Sequence, residues 1–265
     1  EIAQRIVRAK RTLADSGIPF EPPSTDEMGE RLAAVLGVIY LVFNEGYSAT
    51  AGDQWMRTEL SVEALRLGRI MVGLAPREPE VHGLVSLMEI QASRFPARTG
   101  PQGEPVLLMD QDRSRWDRLL IRRGLKELET ARSLGGNGPY VIQASIAACH
   151  ARALRPEQTD WQEILGYYDE LAALGDSPVA ELNRAVAMAM SGDPRSALDA
   201  VDRVATDSRM KGYYLLPSVR GDLLERLGRS GEAAAEFERA ASLTDNQAER
   251  RVLIERAERA KDFPG

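Results

Sequence analysis

The chain has little with which to do covalent or metal chemistry. Its 265 residues include one cysteine, Cys149, and two histidines, His82 and His150. A single cysteine excludes an internal disulfide and fits a reducing compartment. Neither histidine has a second ligand three or four residues further on, and no HExxH or Cys/His cluster occurs, so no zinc pattern is present. Cys149 and His150 are adjacent, but neighbours on a helix point about 100° apart, so adjacency makes no nucleophile–base pair. Both read as structural. No catalytic residue, metal ligand or cofactor is expected, and the chain does not read as an enzyme. Long apolar runs are also lacking. The longest, 32–43, falls short of the roughly 20 residues a bilayer crossing takes. With no signal-peptide pattern either, the expectation is a cytoplasmic protein without membrane contact.

Two loop motifs fail on inspection. Gly135-Gly136-Asn137-Gly138 lacks the GxxxxGK[ST] spacing of a phosphate loop and follows a helix, so it reads as a cap and turn. Asp110-x-Asp112-x-Ser114 begins like a calcium loop. However, Arg115 stands where glycine is required and Ile121 where the bidentate glutamate belongs.

What is present is helical periodicity. The stretch 31–47, RLAAVLGVIYLVFNEGY, places Leu32, Val35, Leu36, Ile39, Tyr40 and Phe43 on one face. The opposite face, with Ala33, Ala34, Gly37, Val38, Leu41 and Val42, is apolar too. A helix apolar all round is expected to be covered by other helices. Ser24 and Glu27 stand in capping-box register, and Asn44 or Gly46 can close the helix in a left-handed cap. It empties into a polar loop, Asn44-Glu45-Gly46-Tyr47. Further helices follow. Thr58 caps one with Leu60, Ala64, Leu67, Met71 and Leu74 inward. Pro79 opens one with Val81, Leu84, Val85, Met88 and Ala92 inward. After a Pro/Gly-rich loop at 96–105, a helix with Leu120, Leu125, Leu128 and Ala131 inward ends near Gly135. Pro139 starts an alanine-rich one.

The last hundred or so residues look repetitive. Thr159 with Gln162 forms a capping box before Trp161, Ile164, Leu165, Tyr168 and Leu171. Gly192 and Ala197 recur 36 positions on as Gly228 and Ala233. A helix–turn–helix unit of about 34 residues with small residues at turn and packing positions is the tetratricopeptide pattern. Residues 216–243, LPSVRGDLLERLGRSGEAAAEFERAASL, are the better copy. The expected fold is therefore all-α, a helical array with tetratricopeptide-like repeats in its C-terminal half. The expected divisions are 1–23, 24–157 and 158–265.

Charge is uneven. The net charge of −6 argues against a protein that coats nucleic acid with its whole surface. Yet residues 1–13 carry Arg5, Arg8, Lys10 and Arg11 against Glu1 alone. This is either a solvated helix face or the end of a DNA-reading helix whose cations sit on phosphates. A proline-rich linker follows at 17–23. Two polar clusters stand in apolar surroundings. One is Asn44, Glu45 and Tyr47; the other is Asp110, Asp112, Arg113, Trp116 and Asp117. Each is either a set of caps and ion pairs or a docking or ligand pocket where the loops converge.

Together, RLAAVLGVIYLVFNEGYSA (31–49), LMDQDRSRWD (108–117), QASIAACHA (143–151) and LNRAVA (182–187) resemble bacterial extracytoplasmic-function sigma factors, the group with a large tetratricopeptide-like C-terminal extension. AQRIVRAKRTLADSGIPF (3–20) resembles the close of that family's promoter-reading helix-turn-helix. The resemblance implies that Gln4, Arg5, Arg8, Lys10 and Arg11 belong to the distal recognition helix and its exit. It implies a regulatory C-terminal extension that tunes transcription initiation in cis. Its partners would be core RNA polymerase and the N-terminal sigma domains of the same protein, with promoter DNA engaged only by the full-length protein. The domain that reads the downstream promoter element and clamps core polymerase is not in this sequence. The expectation is thus a piece of a longer protein that does not direct transcription by itself. Two rivals stand beside this reading. One is a tetratricopeptide adaptor for an unrelated protein partner. The other is a small-molecule sensor using Glu45, Asp110 and Asp112.

Overall fold

A computed structural model describes residues 8, 11–12, 15, 25–49, 51–52, 55–101 and 103–262. Among them are eleven α-helices: α1 (Thr25–Tyr47), α2 (Thr58–Leu74), α3 (Pro79–Ala92), α4 (Arg118–Ser133), α5 (Pro139–Arg152), α6 (Trp161–Leu174), α7 (Pro178–Met190), α8 (Pro194–Val204), α9 (Leu215–Arg226), α10 (Ser230–Leu243) and α11 (Gln247–Asp262). The fold is an all-α helical array. Its one strand pair is two residues long, β1 (Ala51–Gly52) parallel to β2 (Asp245–Asn246).

The chain forms two compact units, 1–37 and 38–265, and the boundary falls inside α1. In the first unit, Arg8, Arg11, Thr12 and Asp15 are helical and exposed, and the Thr12 hydroxyl donates to the Arg8 carbonyl at 3.0 Å. Gln4, Arg5, Lys10, Ser24 and the linker at 17–23 lie outside the described residues.

The expectation that α1 is enclosed fails. Leu36, Ile39 and Phe43 are buried, but Val38 is 61% and Leu41 69% exposed. The helix therefore has one buried face and one apolar face in solvent. Nor does it stop at Asn44 or Gly46. Both lie in its last turn, and neither has a left-handed backbone. Gly46 is needed for another reason: a side chain there would collide with the backbone of Ser61, whose hydroxyl donates to the Phe43 carbonyl at 2.9 Å.

The enclosed helix is α3. Every residue from Val81 to Ile90 is buried, because α2, α4 and α5 all pack on it. Two glycines set the close approaches. A Cβ on Gly83 would lie 2.7 Å from the Val141 backbone nitrogen of α5. One on Gly124 of α4 would lie 3.0 Å from the Ser86 carbonyl of α3. Two polar residues of α3 are tied to its neighbours. His82 Nδ1 meets Glu127 Oε2 at 2.6 Å, and Arg69 donates twice to Glu89 Oε1, at 3.0 and 2.8 Å. Burial raises the Glu89 carboxyl above its ordinary range despite that arginine.

Helices α7 to α11 share one apolar cluster containing Leu182, Val201, Leu224, Phe237 and Leu253. The repeat read from the sequence appears as two matched stops. Gly192 (φ 110°) ends α7 and Gly228 (φ 72°) ends α9. In each, the next amide bonds back across the turn, Asp193 N to Met188 O at 3.2 Å and Arg229 N to Leu224 O at 2.9 Å. That is the paired left-handed cap for which glycine is favoured. Ala197 and Ala233, just past the two turns, are both fully buried. Two caps differ from expectation. Thr58 is the first helical residue of α2, with no side-chain cap before it. Asp160, not Thr159, caps α6, accepting from Glu163 N at 2.9 Å. The last helix returns to the stretch after α1. Asn246 Nδ2 donates to the Ala49 carbonyl at 3.1 Å, and the Ser48 hydroxyl to Glu249 at 3.3 Å.

Two glycine substitutions separate packing from propensity. Gly83→Ala forces α3 from α5 and should cost about 1–3 kcal/mol. Gly166→Ala on α6 meets nothing within 4 Å and should stabilise by about 0.5–1 kcal/mol. Urea midpoints moving in opposite directions would bear this out, and equal shifts would refute it.

Candidate functional site

The turn that closes α3 delivers two arginines between the two polar clusters. Ser93 caps the helix end, its hydroxyl donating to the Ile90 carbonyl at 2.6 Å, and a 3-10 turn at Phe95–Ala97 follows. Arg98 turns toward α1. Its guanidinium lies 3.3 Å from the Tyr47 ring centroid and 4.4 Å from that of Trp55, and Nη1 donates to the Tyr47 carbonyl at 2.6 Å. Burial pushes it down to about 10, with Glu249 and Tyr214 opposing. Arg94 lies 5.5 Å from the Tyr47 ring and 6.0 Å from the Trp116 ring. Tyr47 from the first cluster and Trp116 from the second therefore meet on either side of Arg94.

The remaining cluster residues do local work. Glu45 pairs with Arg57 at 3.3 Å, and the Asn44 side chain bonds Tyr40. Asp110 is exposed. Asp112 accepts from Ser114 N at 2.9 Å, and the Ser114 hydroxyl first and this amide second hold its carboxyl below the usual range; Asp117 caps α4. Arg113 is 3% exposed and donates to the carbonyls of His150 and Ala153, both at 2.9 Å, and to Thr159 Oγ1 at 3.1 Å. It thereby satisfies two carbonyls at the end of α5, with its guanidinium 5.1 Å from the Trp116 ring centroid. Thr159 serves this bond rather than a capping box.

Beside Arg94 a groove of about 810 Å³ opens between α1, α3, α5, α6 and α7, and none of the expected loop residues lines it. Its walls include Tyr40, Leu87, Ile146, Tyr168, Leu171 and Val179, and its polar positions include Gln91, Arg94, Gln143 and His150. Tyr40 donates to Gln143 Oε1 at 3.1 Å. His150 is buried and meets Trp161 edge-on at 5.2 Å. Its Nδ1, Gln91 Oε1 and Arg94 Nε are buried atoms with no hydrogen-bond partner among the described residues. Burial first, then the charges of Arg94 and Arg113, push the His150 imidazole down to about 3, so it is neutral at physiological pH. Cys149 donates to the Ser145 carbonyl at 3.3 Å. Burial and then Glu163 push its thiol up to about 12, which makes it a poor nucleophile. Among the described residues no cluster of three His, Cys, Asp or Glu is placed for a metal ion. No described helix is long and apolar enough to cross a membrane. Gln91 and Arg94 went unnoticed in the sequence because they follow an ordinary-looking helical stripe. Only the fold sets them against α5 and α7.

Fold and site together define an all-helical array with an open, arginine-floored groove. Within it, residues 31–132 match a family of unknown function (DUF6596). The chain is 48% identical over 246 residues to an uncharacterized protein of Rhizobium meliloti (strain 1021), a match that covers 93% of the chain and 58% of that relative.

The depressed His150 makes a signed prediction. The unfolded ring takes up its proton near pH 6.5, whereas the folded one waits until about 3. Its stabilising contribution is therefore complete above 6.5 and is lost as pH falls from 6.5 toward 3, at about 1.4 kcal/mol per pH unit. His150→Phe keeps a ring against Trp161 without the proton. Between pH 7 and 4.5 the wild type should lose more stability in urea melts than the variant. Parallel losses would contradict the assignment.

Proposed function

We propose that the chain is the C-terminal regulatory extension of an alternative RNA polymerase sigma factor of the extracytoplasmic-function type. It tunes promoter-directed initiation through protein–protein contacts and works in the cytoplasm. The observation that carries this reading is the apolar outer face of α1, within the segment that most resembles that group. Val38 and Leu41 stand 61% and 69% exposed on a helix whose inner face is packed. Apolar side chains this exposed mark contact surfaces when they cluster. The contact proposed is with the sigma domains of the same longer protein and with core polymerase. Arg8 and Arg11, helical and exposed, fit the exit of a promoter-reading helix whose cations hold phosphates. No substrate is transformed on this reading. The adjacency of Cys149 and His150 does not argue for an enzyme, since the thiol donates to its own helix and the imidazole is buried.

The test is Val38→Glu with Leu41→Glu in the longer sigma factor, assayed for promoter-specific transcription with core polymerase. Both positions are exposed, so the melting temperature should move by no more than about 2 °C. Transcription is expected to change at least about fivefold, which corresponds to roughly 1 kcal/mol of contact. A double variant that folds and transcribes as the wild type does would overturn the proposal.

A further inference from the structure

The groove beside Arg94 has one cation of its own, Arg94. Arg94 is in no ion pair among the described residues. Its guanidinium is held by two aromatic faces, and Nε has no hydrogen-bond partner. His150 Nδ1 and Gln91 Oε1 are likewise unpartnered, and His150 is 8% exposed. Buried polar atoms without partners cost stability, so three at the wall of one cavity call for an explanation. The charge there is cationic: burial pushes both His150 and Arg113 down, and the charge of Arg94 adds to the effect on each. The acidic residue lining the groove, Asp176, is already bonded by Arg209 at 2.7 Å. The remaining wall is apolar, with Leu87, Leu108, Ile146, Leu171, Leu174 and Val179. The volume of about 810 Å³ lies within the roughly 300–1,000 Å³ typical of small-molecule sites.

We infer that this groove binds a small organic anion, an apolar body carrying one carboxylate, with the carboxylate taken by Arg94 beside His150. Arginine suits the role because its planar fork presents paired donors to a carboxylate. His150 is neutral and can donate from Nδ1 in one tautomer. The apolar body lies along α5, α6 and α7 between the rings of Tyr40 and Tyr168. The inference does not rest on the transcription reading, and its failure would leave that reading standing.

Isothermal titration calorimetry on this chain tests it, with octanoate as the probe and octanamide as its uncharged counterpart. Octanoate is expected to bind saturably at one site, at least about tenfold more tightly than octanamide, or about 1.4 kcal/mol. Arg94→Gln should remove that preference while leaving octanamide binding as it was. Val179→Trp, at an exposed position on the groove wall, should weaken both probes at least tenfold. If Arg94→Gln fails to fold by circular dichroism, the wild-type ratio and Val179→Trp decide. No saturable octanoate binding, equal affinity for the two probes, or binding indifferent to Val179→Trp would each overturn the inference.

Discussion

The burial of α3 on every side is the constraint on which the 38–265 unit depends. A helix with no solvent face cannot leave its polar side chains to water. His82, Glu89 and Ser86 are therefore answered from neighbours or carried at a cost. His82 reaches Glu127 on α4, Glu89 takes Arg69 from α2, and the Ser86 hydroxyl is left without a partner. Such pairs specify which helix lies where more than they add stability, since desolvation offsets much of the attraction. Glycines at positions 83 and 124 then let α5 and α4 close on the backbone itself. With three helices locked to it, the end of α3 has one direction to leave in. It brings Arg94 to Tyr47 and Trp116, and Arg98 to Tyr47 and Trp55.

This explains what the sequence disclosed and what it concealed. Helix positions followed from proline starts and apolar spacing, because those signals are local. The matched stops at Gly192 and Gly228 were legible because a left-handed cap favours glycine and the two turns are alike. Enclosure was not legible. Helix α1 looks enclosed because both of its faces are apolar, yet Val38 and Leu41 face outward. Helix α3 looks half-exposed because His82, Ser86 and Glu89 interrupt its second face. Their partners are up to 45 residues away, and composition carries no trace of that pairing.

The two polar clusters show the same division. Asn44–Tyr47 and Asp110–Trp116 stood out in the sequence as polar clusters in apolar surroundings. Their meeting point, Arg94, did not. Most of their members cap turns or tie carbonyls, and Arg113 does so for two carbonyls at the end of α5. The groove draws on α1, α3, α5, α6 and α7, so no contiguous motif announces it. What it offers is a fixed cation and neutral, unpartnered polar atoms in an apolar wall.

All of this rests on α3 being the rigid member of the array. Native-state hydrogen–deuterium exchange measures that most directly, since amides in the most protected element open only with global unfolding. The account predicts that amides 81–90 exchange slowest in the chain and together. If instead 38–47 exchanged more slowly than 81–90, α1 and not α3 would be the enclosed core, and the account would be wrong.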